Sequence, residues 1–278
     1  MSYALMTDRY ELTMLQAALR SGKSERECVF EVFTRQLPSG RRYGVLAGVG
    51  RVLDAIADFR FGPEELSYLR EAKVVDEETL EWLQNYKFSG SITGYREGEI
   101  YFANSPVMTV RGTFAEAVLL ETVILSILNY DSAVASAASR MHTAASGRFL
   151  AEMGARRAHE SAAIAAARAA FIAGFDATSN LEAGRSWGIP TMGTSAHSFT
   201  LLHDSEKEAF EAQIASMGPD TTLLVDTYDI SAAVKMAVEL TDGKVAAVRI
   251  DSGDLGSTAV EVRRQLDDLG AKQTKIVV

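Results

Sequence analysis

Apolar residues recur at helical spacing over residues 8–21, where Leu12, Leu15 and Leu19 share one face. Asp8 stands at the N-cap position, Glu11 follows as a capping-box partner, and Gly22 ends the helix. Residues 27–35 alternate as a strand before Pro38, Ser39 and Gly40 break the chain. Three helices follow: residues 47–59 with Val52, Leu53 and Ile56 inward, a second starting at Pro63, and a third capped by Asp76. Residues 89–112 read as a hairpin or meander with Arg96-Glu97-Gly98 at a turn. Residues 114–147 are long, Ala-rich and apolar, which predicts buried helix broken near Asp131. Beyond it, helix and strand patterns alternate. Strands are expected at 189–195, 221–227, 245–251 and 274–278, with helices at 161–174, 205–218, 230–243 and 256–270. That alternation predicts parallel βαβ units. The expected organisation is an α+β domain over 1–131 followed by an α/β barrel domain over 132–278. About 150 residues supply only part of eight barrel units, so an incomplete barrel is expected.

Composition narrows the classes. The chain has 278 residues, 47% hydrophobic and 23% charged, which is ordinary for a globular protein. The net charge of −9 excludes a global basic field for nucleic acid, so an anionic ligand needs locally placed arginines. One cysteine, Cys28, rules out a disulfide framework and a CxxC metal site. No uncharged apolar run reaches membrane-spanning length, and the start MSYALMTDRYELT lacks a basic-then-apolar signal pattern; a cytoplasmic location is the expectation. The chain stops at TKIVV, which reads as a strand with nothing to cover it, so a fragment of a longer protein is expected.

Candidate chemistry collects where strands end. The stretch GTSAHSF, 193–199, reads as a strand opening into a loop with His197 at its tip. LLVDTYD ends in Asp226 and Asp229, and AAVRIDSGD in Arg249, Asp251, Ser252 and Asp254. Charged residues at buried strand ends are costly unless paired or bound to ligand. Asp226 can hold one imidazole nitrogen of His197 and leave the other as a nucleophile. Arg249 offers a planar fork for carboxylate or phosphate, and Asp251 can hold ribose hydroxyls or magnesium. The alternative is a structural Asp/Arg network with ordinary helix caps, as DSGD before a helix would supply. Arg156-Arg157 reads equally as a solvated surface pair or a phosphate clamp, and GFDATSN (174–180) as a turn. No HxxxH spacing, P-loop or GxGxxG is present.

Taken in order, TDRYELTM, FEVFTRQLP, LLETVILSILNY, GARRA, GFDATSN, GIPTMGTSAHSF, LLVDTYD and VRIDSGDL resemble nicotinate phosphoribosyltransferase. The resemblance implies a type II phosphoribosyltransferase fold: an N-terminal α+β domain on an irregular α/β barrel. It also implies a homodimer with shared active sites. The implied reaction joins nicotinate to 5-phosphoribosyl 1-diphosphate, giving nicotinate mononucleotide and diphosphate in NAD salvage. ATP is the implied co-substrate and Mg²⁺ the implied cofactor. By motif, the resemblance makes His197 a transiently phosphorylated histidine and Asp226 its orienting partner. Arg156 and Arg157 fall near the phosphoribosyl and nicotinate sites, and Arg249 and Asp251 among substrate contacts. Asp251 is also the implied magnesium ligand. Tyr10 matches an aromatic that stacks on the pyridine ring from the partner subunit, while Asp176, Thr178 and Ser179 line the same cavity. Family members run on past this C-terminus through further Gly-rich strands. Ala196 stands where the related nicotinamide enzyme carries Glu, which favours nicotinate. Nicotinamide or quinolinate as substrate, or an inactive barrel scaffold, are the alternatives.

Overall fold

Small polar residues start most helices, and apolar stripes seat them. The computed structural model describes residues 2–278. They form two compact units, one ending at Met192 and one running Gly193–Val278.

In the first unit, α1 (Arg9–Arg20) turns Leu12, Leu15 and Ala18 inward. The expected capping box does not form: Asp8 makes no side-chain cap bond. Both carboxylates turn to Thr122 instead. Its hydroxyl donates to Asp8 Oδ2 (3.1 Å) and Glu11 Oε1 (2.7 Å), and its N–H donates to Glu11 Oε1 (3.0 Å). Next come β1 (Glu27–Val32), β2 (Gly44–Val45), α2 (Val49–Ala57), α3 (Pro63–Glu71) and α4 (Glu77–Gln84). Asp76 caps α4 as expected, accepting from Thr79 N at 2.9 Å. Leu53 of α2, expected inward, is exposed, while Val52 and Ala55 are buried.

The three strands β3 (Ser91–Gly94), β4 (Ile100–Tyr101) and β5 (Met108–Thr113) do not form a simple meander. The chain turns at Gly98, whose φ of +88° favours glycine. β4 then pairs with β2, while β5 sits antiparallel between β1 and β3. After α5 (Phe114–Val118), α6 (Glu121–Ala145) runs 25 residues without the break expected near Asp131. Asp131 is tolerated mid-helix because Arg51 Nη1 donates to its Oδ1 at 2.6 Å. Two serines of α6 serve the β2 backbone: Val45 N donates to Ser136 Oγ (2.8 Å) and Ala47 N to Ser132 Oγ (3.2 Å). β6 (Ala151–Glu152) and β7 (Ala177–Thr178) pair in parallel, with a 3₁₀ turn at Ala155–Arg157 and α7 (Glu160–Ile172) between them. Residues 174–180, read as a turn, thus hold β7. α8 (Leu181–Trp187) closes the run. The expected strand at 189–195 reduces to one bridge, Thr191 to Thr178. Pro190 brings no N–H to a ladder and spends its carbonyl on Thr178 N.

The second unit follows the alternating pattern: α9 (His197–Leu202), α10 (Glu206–Met217), β8 (Thr222–Leu224), α11 (Ile230–Leu240), β9 (Ala247–Arg249), α12 (Leu255–Asp268) and β10 (Lys275–Val277). The strands are parallel in the order β10-β9-β8, with Leu223, Val248 and Ile276 in register. Phe210, Val234, Val248, Ile250 and Leu266 form the core beneath them. Ser205, Asp229 and Asp254 each cap the next helix, accepting from Glu208 N, Ala232 N and Ser257 N. The fold is mixed α/β. Among the described residues the parallel strands form one three-stranded sheet and one pair, not a closed barrel. No described helix is long and apolar enough to cross a membrane.

Candidate functional site

Parallel strands leave their last residues at one edge of a sheet, and the second unit uses that edge. Asp226 follows β8, Arg249 ends β9, and Asp251 and Ser252 follow it. His197 is not at a loop tip; it is the first residue of α9, after the Ala196 N-cap. Its Nε2 lies 3.1 Å from Asp226 Oδ1. The Asp226 side chain is 1% exposed and the imidazole 40%. The other Asp226 oxygen, Oδ2, accepts from Asp251 N (2.9 Å) and Ser252 Oγ (2.7 Å). Arg249 Nη1 donates to Thr194 Oγ1 at 2.9 Å, and Nη2 pairs with Asp251 Oδ1. Arg249 therefore ties the segment leading into His197 to the turn after β9.

The charge state of Asp226 follows from these bonds. Burial pushes its carboxyl up, but the Ser252 hydroxyl, the Asp251 N–H and His197 together bring it below the usual carboxylate range. An ionised Asp226 accepts from imidazole Nε2–H. That selects the tautomer in which Nδ1 carries the lone pair. Nδ1 makes no hydrogen bond within this unit, so the site presents a partly exposed imidazole with one nitrogen held by Asp226 and the other unengaged.

Of the expected site residues, this edge brings together His197, Asp226, Arg249 and Asp251. Asp229 and Asp254 are occupied as helix caps. Thr194 and Ser252 complete the network, although only polar position marked them in the sequence. The remaining candidates lie in the first unit. Thr178 is buried at the end of β7, and its hydroxyl donates to Glu152 Oε2 at 3.0 Å. Ser179 N donates to Glu152 O at 2.9 Å, and Asp176 Oδ2 accepts from Leu150 N at 2.8 Å. Arg156 and Arg157 follow β6 in the 3₁₀ turn, exposed and without a carboxylate partner among the described residues. Glu152, not singled out in the sequence, holds this strand pair's end together; its only signal was an acidic residue following the short apolar run Phe149, Leu150 and Ala151. Tyr10 sits apart, exposed at the start of α1, with its hydroxyl donating to Glu121 Oε1 at 3.3 Å. It lines a cavity of about 650 Å³ with Asp8, Thr34, Arg41 and Asn129. No group of three or more His, Cys, Asp or Glu among the described residues could hold a metal ion.

Comparison with known proteins shows what the chain is similar to. The sequence pattern of the nicotinate phosphoribosyltransferase (NAPRTase) N-terminal domain matches residues 5–129. Nicotinate phosphoribosyltransferase pncB1 of Mycobacterium tuberculosis is 56% identical over 282 residues, covering 99% of this chain and 62% of that protein. Nicotinate phosphoribosyltransferase of Bacillus subtilis is 37% identical over 283 residues, covering 99% of this chain and 58% of that protein. The chain thus spans about three fifths of the length of these relatives. The crystal structure of human nicotinic acid phosphoribosyltransferase shares the fold, with a TM-score of 0.85 at 24% identity over 98% of this chain and 72% of that one. Nicotinate-nucleotide pyrophosphorylase from Pyrococcus furiosus gives 0.81 at 26% identity, covering 98% and 64%. Over the length it spans, the chain is similar from end to end to nicotinate phosphoribosyltransferases, and residues 5–129 match that family's N-terminal domain.

Proposed function

We propose that the protein transfers phosphoribosyl from 5-phosphoribosyl 1-diphosphate to nicotinate, forming nicotinate mononucleotide and diphosphate in NAD salvage. ATP hydrolysis is coupled through a phosphate carried on His197. The observation that carries this reading is the contact of His197 Nε2 with Asp226, which leaves Nδ1 free. The lone pair of Nδ1 attacks the γ-phosphorus of ATP, the N–P bond forms, and the P–O bond to ADP breaks. Asp226 stabilises the charge that develops on the ring. A phosphorylated side chain carries about two negative charges near neutral pH, enough to redirect a neighbouring arginine. Arg249, held by Thr194 and Asp251, is tied to the segment that leads into His197 and is the group assigned this response. In the glycosyl step the pyridine nitrogen attacks ribose C1 as the C1–O bond to diphosphate breaks. Hydrolysis of the phosphohistidine then resets the site.

Magnesium fits as an ion arriving with the diphosphate rather than a resident of a protein cage, since Asp251 offers one oxygen beyond its Arg249 pair. When bound there it would neutralise the leaving diphosphate. The reading includes the irregular barrel of the family, with the α+β domain over 1–131 and the barrel over 132–278. It includes a cytoplasmic homodimer in which Tyr10 reaches the partner's pyridine site. Arg156, Arg157, Asp176, Thr178 and Ser179 line that site. Ala196 before His197 supports nicotinate over nicotinamide as substrate.

The test is incubation with ATP labelled at the γ-phosphate, followed by mapping of acid-labile phosphate. Label on His197 that disappears in His197→Ala supports the proposal. A folded protein that takes no label, or labels elsewhere, sinks it. Assays with nicotinate, nicotinamide and quinolinate, with and without ATP, on the full reading frame containing this chain then assign the substrate.

A further inference from the structure

We infer that Ser252 is a positioning residue for His197, acting through Asp226. The inference rests on the reading of His197 as the phosphate acceptor. A carboxylate turns about its last bond in a broad, two-fold well, so burial alone does not aim it. Asp226 is aimed by unequal loading of its two oxygens. Oδ2 receives both the Ser252 hydroxyl at 2.7 Å and the Asp251 N–H at 2.9 Å. Oδ1 is left to face His197 Nε2 at 3.1 Å. With the hydroxyl gone, one donor remains on Oδ2, and the carboxylate plane loses its second fixed point.

The turn that delivers the hydroxyl is built for the purpose. Gly253 takes a φ of +80°, and Asp254 caps α12 through Ser257 N at 3.0 Å. These fix the chain on one side of Ser252, as the N–H of Asp251 bonding to Asp226 fixes it on the other. The hydroxyl has no second protein partner among the described residues, so its one bond here goes to Asp226. An aimed Oδ1 holds the imidazole as the Nε2–H tautomer and keeps the lone pair on Nδ1, the role carboxylate partners play behind ligating histidines.

The experiment uses the full chain labelled with ¹⁵N-histidine, in which His197→Ala assigns one of four histidines. Long-range ¹H–¹⁵N spectra at a pH where the ring is neutral read the tautomer directly. Wild type is expected to show Nε2–H at His197, Ser252→Ala a mixture, and Ser252→Thr, which keeps the hydroxyl, the wild-type form. Phosphate incorporation from ATP is expected to fall about tenfold or more in Ser252→Ala, in line with one lost hydrogen bond to a charged group, and to recover in Ser252→Thr. A wild-type tautomer in Ser252→Ala overturns the inference, even if the variant melts earlier, because that is the mark of a purely structural residue. If the tautomer shifts as expected but wild type takes no phosphate, the positioning role stands and the acceptor reading of His197 falls.

Discussion

Asp131 in the first unit and Asp226 in the second are buried alike, each with a side chain 1% exposed and one oxygen on a basic partner. Their carboxyls shift in opposite directions. Burial pushes Asp131 above the usual carboxylate range, and Arg51 only partly offsets it; Asp131 Oδ2 finds no hydrogen bond among the described residues. Burial acts on Asp226 in the same sense, but two donors on Oδ2 and His197 on Oδ1 outweigh it. The difference is location. Mid-helix, every nearby backbone N–H is already committed, whereas a strand's end leaves N–H groups such as that of Asp251 free. A carboxylate that must stay charged belongs at a strand end.

The contrast breaks most readily at Asp131. Asp131→Ala leaves Arg51 half-buried and unpaired, and is expected to cost about 3 kcal/mol of stability in denaturant unfolding. A smaller loss than that of Asp226→Ala would reverse the comparison. Asp226→Asn removes the charge and one of the two acceptors, and should cut phosphate incorporation about a hundredfold, the scale of a mispositioned acid–base partner. Its pH signature also differs in sign. The depressed carboxyl of Asp226 contributes stability above about pH 4, lost as pH falls through its lowered folded value.

A third carboxylate sharpens the rule. Glu11 is fully buried on α1, and burial raises it to about 7 despite two bonds from Thr122; its Oε2 has none. The folded state holds that proton more tightly than the unfolded chain. Stability should therefore fall as pH climbs from about 4.5 to about 7, by roughly 3 kcal/mol. Glu11→Gln should flatten that slope in pH-dependent melts; an unchanged slope assigns it to another group. The smallest effect is expected at Gly253, where Ala at a φ of +80° should cost about 1 kcal/mol, although the site has open space for a methyl.

The alternating half of the chain was legible residue by residue. Asp254 reads as a cap and is one, and the apolar runs at 221–227 and 245–251 contain β8 and β9. The same rules failed where a distant partner decides. Asp131 looked like a helix break until Arg51 supplied its counter-charge, and Asp8 and Glu11 looked like a capping box until Thr122 drew both away. Residues 189–195 are as apolar as a strand, yet Pro190 removes a ladder donor. The meeting of His197, Asp226, Arg249 and Asp251 could be expected because each stands just past an apolar run. Glu152 and Thr194 were harder to see: one ends a two-residue strand and the other stands in a loop, and neither has a periodicity to mark it.

The serines of α6 have a consequence for how this chain tolerates change. Ser132 and Ser136 do for the Val45–Ala47 backbone what a neighbouring strand would ordinarily do. Alanine is the better helix former and nearly the same size, so exchanging it for serine on a long helix is normally among the safest drifts a sequence can make. Here that exchange would strand two buried amides with no acceptor, a loss of about 1–3 kcal/mol each. Homologous chains carrying alanine at either position should therefore show a compensating acceptor nearby, or a displaced β2.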